Sequence, residues 1–157
     1  MADTGLTHAD WLKRVPELIA ESREEWGLRL EQPYEGANVS VVIPAGDAVL
    51  KIQYPHRESE HEADALALWD GDGAVRLLAH DPARHALLLE RCEPGTFLSE
   101  LPADEALGVL IELLPRLWKP AGAPFRPLEE EAAWWLESSD EWPVDDELRA
   151  AAIQALE

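Results

Sequence analysis

Cysteine and asparagine each occur once in these 157 residues, and basic side chains are outnumbered, 13 Lys and Arg against 32 Asp and Glu. A single cysteine, Cys92, excludes an internal disulfide and a multi-cysteine zinc site within the chain. It reads as a small buried hydrophobe rather than a reactive thiol. No apolar run is long enough to span a bilayer, and Met1-Ala2-Asp3 opens a segment with neither the basic nor the apolar region of a secretion signal. The expected location is therefore cytoplasmic. A formal charge of -19 repels nucleic acid and anionic membrane surfaces, leaving a cationic small molecule or a basic protein surface as an acceptable partner. The acidic runs Glu129-Glu130-Glu131 and Asp145-Asp146-Glu147 read as solvated helix starts. Several motifs are missing too: no G-x-G-x-x-G, no H-E-x-x-H and no G-x-S-x-G occurs. His56 and His61 stand five apart, poor same-face spacing for a metal, so the histidines read as surface residues. The seven tryptophans lack basic interleaving and read as packing residues rather than base-stacking platforms.

What is present centres on Lys51. It lies within Ala48-Val49-Leu50-Lys51-Ile52, a strand-like run in which Val49, Lys51 and Gln53 share one face and Leu50 and Ile52 the other. The helical segment His56 to Trp69 follows, with Glu62, Leu66 and Trp69 spaced so that the glutamate falls on the apolar stripe. A strand lysine and a helix carboxylate, each costly to enclose alone, satisfy one another as a pair. Kinase-type phosphotransferases hold the lysine that grips nucleotide phosphates in this way.

The rest of the chain supplies a context. Thr7 with Asp10 reads as a helix start, and Trp11, Val15, Leu18 and Ile19 form a stripe that Pro16 divides or restarts. Leu28-Arg29-Leu30 and Val39-Ser40-Val41-Val42-Ile43 read as strands of a hairpin, and Pro44-Ala45-Gly46-Asp47 as a second turn leading to Lys51. Gly71-Asp72-Gly73 stops the following helix, and Ala74 to Ala79 and Ala86 to Glu90 read as two further strands. From Pro102 the period becomes helical, with stripes over Leu107 to Leu117, Leu128 to Leu136 and Leu148 to Leu156, and a loop at Lys119 to Pro124.

Three segments together resemble the streptomycin 6-kinase and hydroxyurea phosphotransferase branch of the aminoglycoside phosphotransferases: Ala48 to Ile52, Glu62 to Leu78 with its Trp69-Asp70-Gly71, and Ala86 to Gly95 with its Leu89-Glu90-Arg91. The resemblance covers most of residues 10 to 135. It implies an α+β fold: a kinase-like small lobe of a five-stranded antiparallel sheet plus a helix, followed by the first helices of a truncated large lobe. The expected divisions are an N-terminal helical segment at 1–27, the nucleotide-binding small lobe at 28–91, and a hinge with an incomplete helical lobe at 92–157. It further implies ATP with Mg as cofactors and a small hydroxylated substrate, cationic ones included. In that reading Lys51 contacts the phosphates and Glu62 orients it. Glu90, Arg91 and Cys92 form the hinge beside the adenine edge, and Gly36, Asn38 and Ser40 stand where a phosphate-covering loop belongs. The Gly36 turn also reads as a plain hairpin connection, and Glu90 with Arg91 as a strand end exposing charge to water.

The chain departs from that family's chemistry in one respect. A catalytic-loop aspartate followed by an asparagine is required, and the one asparagine is Asn38 in the first hairpin. His8-Ala9-Asp10 and His80-Asp81 are superficial matches in the wrong places. No catalytic residue and no metal ligand is assigned, and the last stripe runs to Glu157 without a stop signal, which reads as a truncated chain. Two function classes remain. One is ATP-dependent O-phosphorylation that inactivates an antibiotic-like molecule, represented here by its N-terminal portion. The other is a non-catalytic nucleotide-binding remnant or interaction module built on the same lobe.

Overall fold

A computed structural model describes residues 6–141 and 144–156. The opening Met1-Ala2-Asp3, Trp142 and the closing Glu157 lie outside the described residues. The chain divides into two compact units between Lys119 and Pro120.

The first unit is built on a four-stranded antiparallel sheet of order β1-β2-β4-β3, with β1 at Ser40–Ala45, β2 at Ala48–Gln53, β3 at Leu77–Asp81 and β4 at Ala86–Glu90. β1 and β2 are joined by a two-residue loop whose first residue, Gly46, has φ +67, the backbone that an L side chain resists and a tight hairpin needs. Alternation along β2 separates two cores. Leu50 and Ile52 pack with Ile43 and Ala86 against Trp11, Val15 and Leu18 of helix α1 (His8–Glu25). Val49, Leu87 and Leu89 pack on the opposite face against Ala63 and Leu66 of helix α2 (Glu62–Trp69). Both faces of β2 are thus covered, which is why its aliphatic run is nearly continuous.

Three expectations need correction. The sheet has four strands rather than five, because Leu28-Arg29-Leu30 does not join it as a strand. The neighbouring segment makes two bonds to β1, Glu31 N–H to the Pro44 carbonyl and Tyr34 N–H to the Val42 carbonyl, both 2.9 Å. Between them it advances three residues while β1 retreats two, and Pro33, which has no N–H to donate, falls in the gap. Secondly, Pro16 neither divides nor restarts α1, which runs unbroken through it. Pro16 and Leu12 both lie on the exposed side, where water can reach the carbonyl that proline leaves unbonded. Thirdly, Cys92 is exposed and not buried, since β4 ends two residues before it.

Thr7 caps α1 as its spacing predicts, its hydroxyl accepting from Asp10 N–H at 3.2 Å. The turn after α2 is fastened to helix α3 (Ala103–Leu117): Asp72 accepts from Arg116 at 2.8 Å and meets Lys119 at 3.3 Å. These bonds hold its carboxyl below the usual aspartate range. Trp69 adds an indole N–H bond of 3.0 Å to the Leu117 carbonyl. The apolar ridge of α3 is otherwise uncovered: Leu107, Leu110, Ile111 and Leu114 are all exposed, Ile111 at 61%.

The second unit holds α4 (Leu128–Glu137) and α5 (Asp146–Leu156). Their acidic runs occupy first turns as expected, and Asp145 caps α5 by accepting from Leu148 N–H at 2.8 Å. Leu128, Trp134, Trp135 and Leu148 are exposed. Trp11 and Trp69 are packing residues in the sheet cores, whereas Trp118 is 76% exposed. Among the described residues no helix is long and apolar enough to cross a membrane.

Candidate functional site

The sheet face that carries α2 also carries the site. In the register of the sheet Val42, Lys51 and Leu87 lie side by side, and Ser40 lies opposite Gln53. Lys51 therefore emerges between two apolar neighbours on a covered face and needs a carboxylate close by. Glu62, the first residue of α2, supplies it: Lys51 Nζ donates to Glu62 Oε1 at 2.6 Å. The pair is partly enclosed, with side-chain exposures of 23% and 29%. Sequence reasoning did not assign Gln53 to the site, yet its amide Nε2 donates to Glu62 Oε2 at 2.5 Å. Its signal was available in the alternation that put Val49, Lys51 and Gln53 on one face. A small polar pocket of about 210 Å³ adjoins the pair, lined by Ser40, Lys51, Gln53, His56, Ser59 and Glu62 among others.

A larger cleft of about 860 Å³ opens on the same face. Its apolar floor is Val42, Val49, Val75 and Leu89; Tyr34 to Ala37 form one lip, and the run from Glu90 to Gly95 with Phe97 forms the other. Gly36, at φ +89, makes the turn of the first lip with a backbone open to glycine and strained for other residues.

The expected hinge residues lie together at the second lip, and their polar groups are differently engaged. Glu90 N–H donates to the Arg76 carbonyl at 2.9 Å, while its carboxylate accepts from Arg76 N–H at 2.8 Å. Arg91 N–H donates to the Asp47 carbonyl at 2.9 Å, and its guanidinium reaches Glu31 and the Gly46 carbonyl. Cys92 N–H has no hydrogen-bond partner among the described residues. Of the three residues expected near a phosphate loop, Gly36 lines the large cleft, Ser40 lines the small pocket and Asn38 lines neither. Among the described residues no three histidine, cysteine or carboxylate side chains come together as a metal site.

Residues 33–155 match the family described as aminoglycoside/hydroxyurea antibiotic resistance kinase, and the chain belongs to that family. It is 36% identical over 134 residues to the streptomycin 6-kinase of Streptomyces glaucescens, an alignment covering 81% of this chain and 44% of that protein. The streptomycin 6-kinase of Streptomyces griseus gives the same identity and coverage. The hydroxyurea phosphotransferase of Kitasatospora aureofaciens is 38% identical over 121 residues, 72% of this chain and 36% of that protein. The chain thus spans less than half the length of these curated relatives. No solved structure matches it significantly.

Proposed function

We propose that the sheet, α2 and the Glu90–Phe97 lip form a kinase-like small lobe that binds ATP, with adenine in the 860 Å³ cleft and the phosphates directed toward Lys51. One observation carries this reading. Val49 floors the apolar cleft, and Lys51, about 7 Å further along the same face of β2, is held at its ammonium by Glu62. A flat apolar slot leading to a positioned cation suits a purine joined to an anionic chain. Cys92 N–H is a free donor at the slot's edge for a ring nitrogen, and Gly36 lets backbone approach the nucleotide from the other lip. The cleft volume lies within the usual range for a small-molecule site. Magnesium would accompany the nucleotide phosphates, and no cluster of three ligating side chains among the described residues is assigned to it.

The reaction proposed for the family chemistry is O-phosphorylation. The γ-phosphoryl group leaves ADP for a substrate hydroxyl oxygen, whose proton passes to a base. The relatives' names point to streptomycin and hydroxyurea as acceptors to test first, and a charge of -19 suits a cationic one. Within the 157 residues there is no His-x-Asp followed at catalytic spacing by asparagine. These residues therefore supply the nucleotide half of the chemistry, without the proton acceptor. That same lack favours a second reading, in which the chain binds nucleotide without transferring phosphate.

Calorimetric titration of the 157-residue chain with ATP and with ADP tests the proposal. Saturable 1:1 binding, weakened about tenfold or more by Lys51→Ala, is expected. A chain that binds neither nucleotide, or binds both equally well after Lys51→Ala, overturns it.

A further inference from the structure

Glu62 has two carboxylate oxygens, and Lys51 occupies one of them; the other accepts from Gln53. We propose that Gln53 is a positioning residue: it fixes the Glu62 carboxylate so that the Lys51 ammonium is preset for an anionic ligand. This rests on the nucleotide reading above.

The two donors differ in how firmly they are held. Lys51 ends a flexible four-carbon stem and keeps 23% exposure. Gln53 is 6% exposed, and its backbone N–H is tied to the His85 carbonyl at 2.9 Å. A carboxylate bonded to lysine alone would move with it, and both would have to be ordered when a phosphate arrived. Bonded also to a buried amide, the carboxylate has a fixed address, and less freedom is lost on binding. The chemistry of the amide matters as much as its place. A cation at position 53 would compete with Lys51 for the charge on Glu62, whereas a carboxylate would repel it. Glutamine donates a hydrogen bond and leaves the net charge of the pair unaltered.

The geometry of β2 makes this arrangement available. Residues two apart on a strand share a face about 7 Å apart, a gap that one carboxylate and two side chains can bridge. Glu62 enters from the first turn of α2, so the same bond also fixes where that helix begins relative to the strand.

The test compares ATP affinity in the full 157-residue chain for wild type, Lys51→Ala, Gln53→Leu and Gln53→Glu between pH 5 and pH 8, each as a ratio to wild type at the same pH. Circular dichroism melts verify that each variant is folded. Gln53→Leu should weaken ATP about fivefold to tenfold at every pH. Gln53→Glu should bind within about twofold of wild type at pH 5, where one proton shared between the two carboxyls restores the donor, and fall at least tenfold at pH 8, where both ionise. A residue that merely filled space would show no such recovery in acid. If Lys51→Ala abolishes binding while both Gln53 variants bind as wild type at all pH values, the positioning role is wrong and the nucleotide site stands. If wild type binds no ATP, both fall together.

Discussion

Lys51 and Glu62 meet at 2.6 Å across the seam between β2 and α2, with roughly a quarter of each side chain open to solvent. Partial enclosure sets the scale of what the pair contributes. It is too covered to be a freely solvated surface pair and too open to carry the full cost of a buried one.

The stability of single and double variants should show this. Glu62→Leu alone leaves a largely covered ammonium without its partner and should cost about 1 to 3 kcal/mol. The double variant Lys51→Met with Glu62→Leu should cost less than the sum of the two single changes, because no unpaired charge remains. Urea melts of the four proteins measure the coupling, and strict additivity would show that the two groups do not interact in solution.

A second prediction concerns His85, in the turn between β3 and β4 with φ +50. Burial lowers its pKa below the ordinary histidine value, with smaller repulsions from His80 and Arg14 and a partial offset from Asp81. A base whose folded pKa is depressed binds its proton better in the unfolded chain. Its contribution is complete above the unfolded value near 6.5 and is lost as pH falls toward the lower folded value. Thermal melts between pH 7.5 and pH 5 should show a falling midpoint in wild type. His85→Asn, which tolerates a left-handed backbone, should flatten that dependence.

Local stability should follow burial. Leu50, Ile52 and Leu88 lie in the paired heart of the sheet, and their amides should exchange slowly. Asp146–Leu156 is a helix with little cover, and its amides should exchange fast. The exposed ridge Leu107, Leu110, Ile111 and Leu114 should also make the chain bind a hydrophobic dye such as ANS in its native state. Slow exchange through residue 156 in a monomer, with no dye binding, would contradict this distribution.

Catalysis should be absent from the isolated chain. With ATP and magnesium, neither streptomycin nor hydroxyurea should gain phosphate above the level given by a Lys51→Ala control, since no base or paired asparagine is present at catalytic spacing. Phosphorylated product in stoichiometric yield would show that another group in these residues accepts the hydroxyl proton.

How far the fold could be read ahead of the structure depended on how local the signal was. The alternation of β2 and the spacing of Glu62, Leu66 and Trp69 are short-range patterns, and the helix stripes after Pro102 follow a regular period. These translated directly into elements. The failures were of another kind. Leu28-Arg29-Leu30 has strand composition, but pairing depends on register, and Pro33 removes a donor where register would have been set. Pro16 looked like a break because proline's cost depends on whether its helix face is wet, which spacing alone does not disclose. Cys92 was placed inside on residue type, when its position just past the end of β4 decided the matter. Gln53 was seen on the right face and given no role, because a carboxylate's second oxygen becomes visible only with its partner in place.

Mapping amide shifts on a ¹⁵N-labelled chain during titration with ATP shows whether the cleft beside Lys51 is a nucleotide site. Binding should shift Gly36 and Ala37, Val49 to Lys51, and Arg91, Cys92 and Gly95, with Cys92 N–H moving furthest as it takes up a ring nitrogen. Shifts confined to α4 and α5, or a spectrum unchanged at millimolar ATP, would contradict it.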